Sequence, residues 1–226
     1  MPKKIRLEKQ VLLENDRLAA RLAERFAEAG VFVANLMSSP GAGKTSLLEE
    51  TSRRLGGELR MAAVNGDLAT DRDAARLRKA GLPTELVNTG GGCHLNARQV
   101  TDAAANLDLD ALDVLFIENV GNLVCPAGFD LGEHRRVVVS STPEGDDKPA
   151  KYPVVFHSAD CVVLNKMDLV EVTGFSTEAF RAWVRGLRPD LVILELSCRT
   201  GEGLDAWLDW VRRGVAEVRE RPGRSK

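Results

Sequence analysis

The run Ser38-Ser39-Pro40-Gly41-Ala42-Gly43-Lys44-Thr45-Ser46 sets small residues, two glycines, a lysine and hydroxyls in the order that phosphate binding needs. Glycines let backbone N–H groups approach phosphate oxygens, and the start of a following helix favours negative charge. In that pattern Lys44 reaches the β- and γ-phosphates and the Thr45 hydroxyl ligates magnesium, while Pro40, Gly41, Ala42, Gly43 and Ser46 complete the cradle. Ser38 stands where the general pattern GxxxxGK[ST] has glycine, so the first turn must be one that a small non-glycine residue adopts.

A second motif, Asn165-Lys166-Met167-Asp168, follows the apolar run Cys161 to Leu164 about 120 residues later. The Asp168 carboxylate can accept from guanine N1 and the 2-amino group, donors that adenine does not present together, so GTP and GDP are expected over adenine nucleotides. Ser197 and Cys198, in Ser197-Cys198-Arg199-Thr200-Gly201, resemble the further base-contacting loop of GTPases. Asp67 and Glu118 each end an apolar run. With Lys44 they are the catalytic candidates, holding magnesium with Thr45 and orienting water, and the alternative for each carboxylate is a solvated loop position.

Cys93 and His94 close the permissive loop Gly90-Gly91-Gly92-Cys93-His94, and Cys125 lies in a second loop after Glu118. Two thiolates and an imidazole can converge on one metal and leave a fourth position open. Sulfur and nitrogen donors suit zinc, nickel or copper. Two cysteines about thirty residues apart do not make a metal motif by themselves, and scattered thiols are the alternative. Cys161, inside an apolar run, reads as a core residue. His134 and His157 read as surface or loop residues, and four cysteines in a reducing compartment with a large core argue against disulfides.

The elements that must position these groups alternate along the chain. Apolar side chains at Leu7, Val11, Leu18, Leu22 and Phe26 have helical spacing and stop at Gly30. The run 31–37 is then followed by the glycine-rich turn and a helix over 44–55. Apolar segments near 59–64, 112–117, 135–140, 160–164 and 191–196 read as strands buried on both faces. Helical stretches near 70–80, 95–106, 175–187 and 203–219 lie between several of them. This is the pattern of an α/β, doubly wound, mostly parallel sheet of P-loop NTPase type. A single domain over 1–226 is expected, with the amphipathic helix of 1–30 packed on it and 220–226 as a flexible tail.

A net charge of -2 gives no general attraction to nucleic acid or acidic membrane, and the basic ends MPKKIR and RERPGRSK are short. No apolar run approaches the roughly 18 residues of a membrane span, and the N-terminus lacks the apolar core of a signal peptide, so a cytoplasmic location is expected.

The stretches NLMSSPGAGKTSLLE, NTGGGCHLNA, IENVGNLVCPAGFDLGEHRRVVVSSTPEGDDKPAKYP and VVLNKMDL resemble segments of HypB, the nickel-incorporation GTPase family of hydrogenase maturation. The long third stretch separates the chain from the related urease accessory GTPase UreG. The resemblance implies slow, magnesium-dependent GTP hydrolysis, and Ni2+ or Zn2+ held by Cys93, His94 and Cys125 at the interface of a GTP-promoted homodimer. It also implies cooperation with the accessory protein HypA and a nickel-hydrogenase large subunit. The cysteine-rich or histidine-rich N-terminal segments of some members have no counterpart in this sequence. Lys148 lies in a charged turn resembling the family's dimer-facing loop, where it either contacts a second copy or is solvated. The rival functions are a nucleotide-dependent metal-binding or sensing module with little hydrolysis, and a UreG-like urease-maturation GTPase.

Overall fold

The computed structural model describes residues 3–68 and 70–220, with side chains from residue 10 onward. The Leu7 side chain and the tail beyond Glu220 lie outside the described residues. Seven strands, β1 (Phe32–Ser38), β2 (Met61–Asp67), β3 (Thr84–Asn88), β4 (Val114–Gly121), β5 (Arg135–Ser141), β6 (Cys161–Asn165) and β7 (Val192–Glu195), form one sheet in the order β3-β2-β4-β1-β5-β6-β7. Every pairing is parallel, where a mostly parallel sheet was expected. The helices are α1 (Lys3–Ala29), α2 (Lys44–Leu55), α3 (Arg72–Lys79), α4 (Ala97–Ala104), α5 (Lys148–Lys151), α6 (Pro153–Ser158), α7 (Val170–Thr173), α8 (Thr177–Leu187) and α9 (Leu204–Glu220).

The central strands are apolar on both faces because both faces are covered. On one side Phe32, Phe116 and Val163 pack with Leu47 and Leu48 of α2 and Trp207 and Val211 of α9. On the other, Val33 and Ile117 pack with Phe26 of α1 and Val100 of α4, while Val138 and Val162 pack with Phe156 of α6 and Phe180 of α8. Burying these faces is the main favourable term, at about 25 cal/mol per Å² of apolar surface. No helix among the described residues is long and apolar enough to cross a membrane.

The short helices α5, α6 and α7 fall in stretches where none was expected, and two other elements also differ from expectation. Strand β3, Thr-Glu-Leu-Val-Asn, carries no apolar run. It is an edge strand paired only with β2, so Glu85 and Asn88 keep contact with solvent, while Thr84 is buried. In α1, Leu22 and Phe26 are buried, but Val11 is 54% exposed, so the face read from spacing does not pack over its whole length. Glu14 lies 3.6 Å from Arg98 of α4, and the buried contact starts with Asn15, whose Nδ2 donates to Asp130 O at 2.8 Å and whose Oδ1 accepts from Ala97 N at 2.9 Å. One side chain thereby ties α1 to the start of α4.

Candidate functional site

β1 lies at the switch point of the doubly wound sheet, between β4 and β5, and its carboxyl end opens into the phosphate-binding turn. Gly43 has φ +104°, and a Cβ there would sit 2.3 Å from Asn165 Nδ2, so only glycine fits. Ser38, the departure from the general pattern, has a role of its own. Its Oγ accepts from Lys44 Nζ at 2.7 Å and donates to Ser39 O at 2.6 Å, holding the lysine over the turn. Burial pushes the Lys44 amine below its ordinary value, opposed first by the nearby Glu118 carboxylate.

Thr45 Oγ1 donates to Glu118 Oε1 at 2.7 Å. Glu118 is buried at the end of β4, and burial pushes its carboxyl up, with Lys44 the largest opposing influence. Glu118 Oε2 and Asn65 Oδ1 are buried oxygens without a hydrogen-bond partner among the described residues. Asp67 ends β2, with Oδ1 accepting from Thr70 N at 2.8 Å. Lys44, Thr45, Asn65, Asp67 and Glu118 line one cavity of about 440 Å³ together with Pro40, Gly41, Gly43 and Ser46. The donor set is oxygen-rich, which fits magnesium, and two of those buried oxygens await a partner.

The base-side residues are held to the same turn. Asn165 Nδ2 donates to Ala42 O at 3.0 Å, while its Oδ1 accepts from Lys166 N at 2.7 Å and Cys198 N at 3.2 Å. Lys166 has φ +63° and spans back to donate to Gly41 O at 2.7 Å. Asp168 Oδ1 accepts from Ser197 Oγ at 2.6 Å, and Arg199 lies 3.5 Å from its other oxygen. The loops after β6 and β7 therefore present one carboxylate beside the phosphate turn. Burial pushes the Cys198 thiol up to about 12, which leaves it protonated and suits a packing role.

Beyond β3 the chain bends through Gly90 and Gly91, both at positive φ, and delivers Cys93 and His94 beside Cys125, which opens a 3-10 turn after β4. The ligand atoms of these three residues lie within 4.8 Å of one another, with Cys93 Sγ 3.5 Å from His94 Nδ1. Donors around a tetrahedral zinc-like ion stand about 3.5–3.8 Å apart, given metal bonds of about 2.0–2.3 Å, so a small contraction closes the set. A hydrogen bond with Cys125 pushes the Cys93 thiol up, and burial pushes the His94 imidazole down, toward the neutral form that ligates. The His94 ring packs on Phe129 with centroids 3.9 Å apart. Just beyond, Asn96 Oδ1 accepts from Gln99 N at 3.0 Å and Gln99 Oε1 from Asn96 N at 3.1 Å, a capping box that fixes where α4 starts.

Cys161 is fully buried in β6, and burial pushes its thiol far above the ordinary range. His134 Nδ1 accepts from Val33 N at 3.1 Å, and His157 is exposed on α6. Lys148 is not the freely solvated lysine of the alternative reading. Its Nζ donates to Ser39 Oγ at 3.2 Å, lies 3.6 Å from Glu144 Oε1, and stands over the Tyr152 ring. Asp73 and Arg76 of α3 also line the phosphate cavity, and sequence reasoning missed both. Arg76 is held by Glu49 at 2.7 Å and reaches Ser46 Oγ at 3.1 Å. The only signal was an acidic-basic pair three residues apart on the helix after Asp67, which any solvated helix can show.

The family model described as CobW/HypB/UreG, nucleotide-binding domain, matches residues 32–195. A hydrogenase maturation factor HypB of Azotobacter vinelandii is 50% identical over 209 residues, covering 92% of this chain and 69% of the relative. Two crystal structures share the fold. HypB from Helicobacter pylori in complex with nickel has a TM-score of 0.87 at 38% identity, covering 94% of this chain and 100% of that one. HypB from Archaeoglobus fulgidus has a TM-score of 0.84 at 39% identity, covering 90% and 99%.

Proposed function

Because the chain belongs to the HypB hydrogenase maturation factors within the CobW/HypB/UreG nucleotide-binding family, we propose that it is a slow GTPase that couples GTP-dependent dimerisation to binding and delivery of nickel or zinc. The observation that carries this reading is the closure of the Cys93, His94 and Cys125 donors to within 4.8 Å on loops that adjoin the phosphate cavity. The nickel complex of the Helicobacter pylori relative supports the metal half.

In this mechanism the backbone of Pro40–Ser46 cradles the phosphates, Lys44 neutralises the β- and γ-phosphates, and Asp168 with Asn165, Ser197 and Cys198 selects guanine. Thr45, Glu118 and Asp67 would hold magnesium, which supplies positive charge to the transferring phosphoryl group. Asp67 or Glu118 orients a water that attacks the γ-phosphorus. The bond to the bridging oxygen breaks, and GDP and phosphate leave. Two apolar side chains flank the two ligand regions: Leu68, 49% exposed, beside Asp67, and Val124, 67% exposed, beside Cys125. A second copy covering them would close both sites together and later open both. HypA and a nickel-hydrogenase large subunit are the proposed partners.

The test is sedimentation with GDP, with a nonhydrolysable GTP analogue, and with the corresponding ATP analogue. The reading expects a dimer with the GTP analogue alone. An unchanged mass with every nucleotide contradicts it.

A further inference from the structure

Glu118 and Asn119 are consecutive residues of β4, so their side chains leave opposite faces of the sheet. Glu118 meets Thr45 in the phosphate cavity. Asn119 is buried and also borders that cavity, and its side chain turns toward the neighbouring loop, where its Oδ1 accepts from Leu95 N at 3.0 Å and from Val120 N at 3.0 Å. Leu95 directly follows His94. A buried carboxamide costs stability unless it is bonded, so an Asn in this place is a geometric device rather than a filler.

The amide is anchored from behind. Asn119 Nδ2 donates to Asn35 Oδ1 at 3.3 Å, and Asn35, fully buried in β1, donates to Glu133 Oε1 at 3.2 Å. Glu133 is itself fixed by Arg136 Nε at 2.7 Å and Leu131 N at 2.7 Å. Leu95 is also gripped from a second strand tip. Its side chain fills the space over Gly66, where a Cβ would meet Leu95 carbons at 2.7–2.9 Å. Gly66 lies between Asn65 and Asp67, which line the phosphate cavity. Further along β4, Gly121 packs so closely on Pro40 of the phosphate turn that a Cβ would lie 3.0 Å away.

We propose that Asn119 is the positioning residue through which the contents of the nucleotide cavity set the Cys93–His94 loop, with the Leu95 amide as the point it moves. The inference rests on the nucleotide-and-metal reading above. Glu118 and Asn119 share a peptide unit, so a shift of Glu118 as phosphates enter the cavity carries Asn119 with it. Asn119 holds the amide next to His94, and Leu95 is wedged against Gly66, so the imidazole moves relative to Cys125. Coupling between two sites is reciprocal, and it is read as a ratio of affinities.

The experiment is an equilibrium nickel titration of the full chain loaded with GDP or with a nonhydrolysable GTP analogue, in wild type and Asn119→Ala. In wild type the two nickel affinities should differ by about fivefold or more. In Asn119→Ala the ratio should fall to one. A purely structural loss lowers both affinities together and keeps the ratio, and that result overturns the proposal. Should the variant fail to fold, hydrogen exchange at the Leu95 amide of wild type decides: different rates with GDP and with the analogue support the proposal, and equal rates overturn it. A wild type that binds nickel equally with either nucleotide overturns this inference and the coupling in the reading above, while a preserved ratio in Asn119→Ala overturns this inference alone. A wild type that binds no nickel or no guanine nucleotide overturns the underlying reading, and the inference with it.

Discussion

Glu118 carries a carboxylate into a buried position and leaves one oxygen without a hydrogen-bond partner among the described residues, a cost that a site accepts when a ligand later supplies the missing interaction. Its raised pKa gives the sign. A carboxyl whose folded value lies above its unfolded value disfavours folding once pH rises past the unfolded value, about 4.3, and the penalty is full above the folded value. Glu118→Gln should therefore melt at the same or a higher temperature than wild type at neutral pH, while losing magnesium-dependent nucleotide binding; calorimetry and a nucleotide titration check the two halves. On the base side, Asp168→Ala should weaken GTP binding by about 10- to 100-fold, the worth of one or two charge-assisted hydrogen bonds, without weakening ATP, as measured by competition. The phosphate turn and the carboxylate of Asp168 were legible in sequence because each motif is local and follows a strand. The closure of Cys93 and His94 on Cys125 was legible only through the family resemblance, since spacing alone does not fix the relative positions of the loops after β3 and β4. Ser38 was legible only as an exception, and its hydrogen bond from Lys44 explains why serine is tolerated there.

Helix α1 acts as a clamp whose grip is concentrated in few residues. Asn15 bonds both the 130 loop and the start of α4, so Asn15→Ala leaves a buried amide N–H and a carbonyl unpaired. A loss of about 1–3 kcal/mol is expected, read from the denaturation midpoint, and an unchanged midpoint would remove α1 from the support of the Cys93–His94 loop. The spacing that exposed α1 in sequence also overstated its contact, since Val11 keeps helical period but only borders an open cavity with His94 and Phe129 and stays more than half exposed. Periodicity reports which face is apolar, and what lies opposite comes from the tertiary fold. Strand β3 escaped notice for the converse reason: an edge strand with one neighbour can keep Glu85 and Asn88, and no apolar run marks it. The buried strands β1, β4, β5 and β6 stood out because two covered faces demand continuous apolar side chains.

Across the whole molecule, the proposed nucleotide and metal groups gather at the carboxyl ends of the strands, and the opposite end is tied shut. There Asp113, at the start of β4, accepts from Arg60 at 2.8, 2.9 and 3.2 Å and from Arg219 of α9 at 2.7 Å. The Arg60 guanidinium and backbone hold its carboxyl down at about 2. A depressed carboxyl stabilises the fold above its unfolded pKa of about 3.9, and the gain is lost as pH falls from there toward 2. Asp113→Asn should thus cost about 2 kcal/mol at pH 7, with the gap to wild type narrowing below pH 4. A gap independent of pH would mean that the ion pairs contribute no more than packing. The central claim is that the nucleotide and metal groups work as one device. It is tested most directly by phosphate release from GTP and from ATP, with and without equimolar nickel, in wild type and Cys93→Ala. The account expects GTP-selective release whose rate nickel changes in wild type and leaves unchanged in Cys93→Ala. Release indifferent both to nickel and to Cys93 would contradict it, leaving a GTPase whose cysteines and histidine serve some other end.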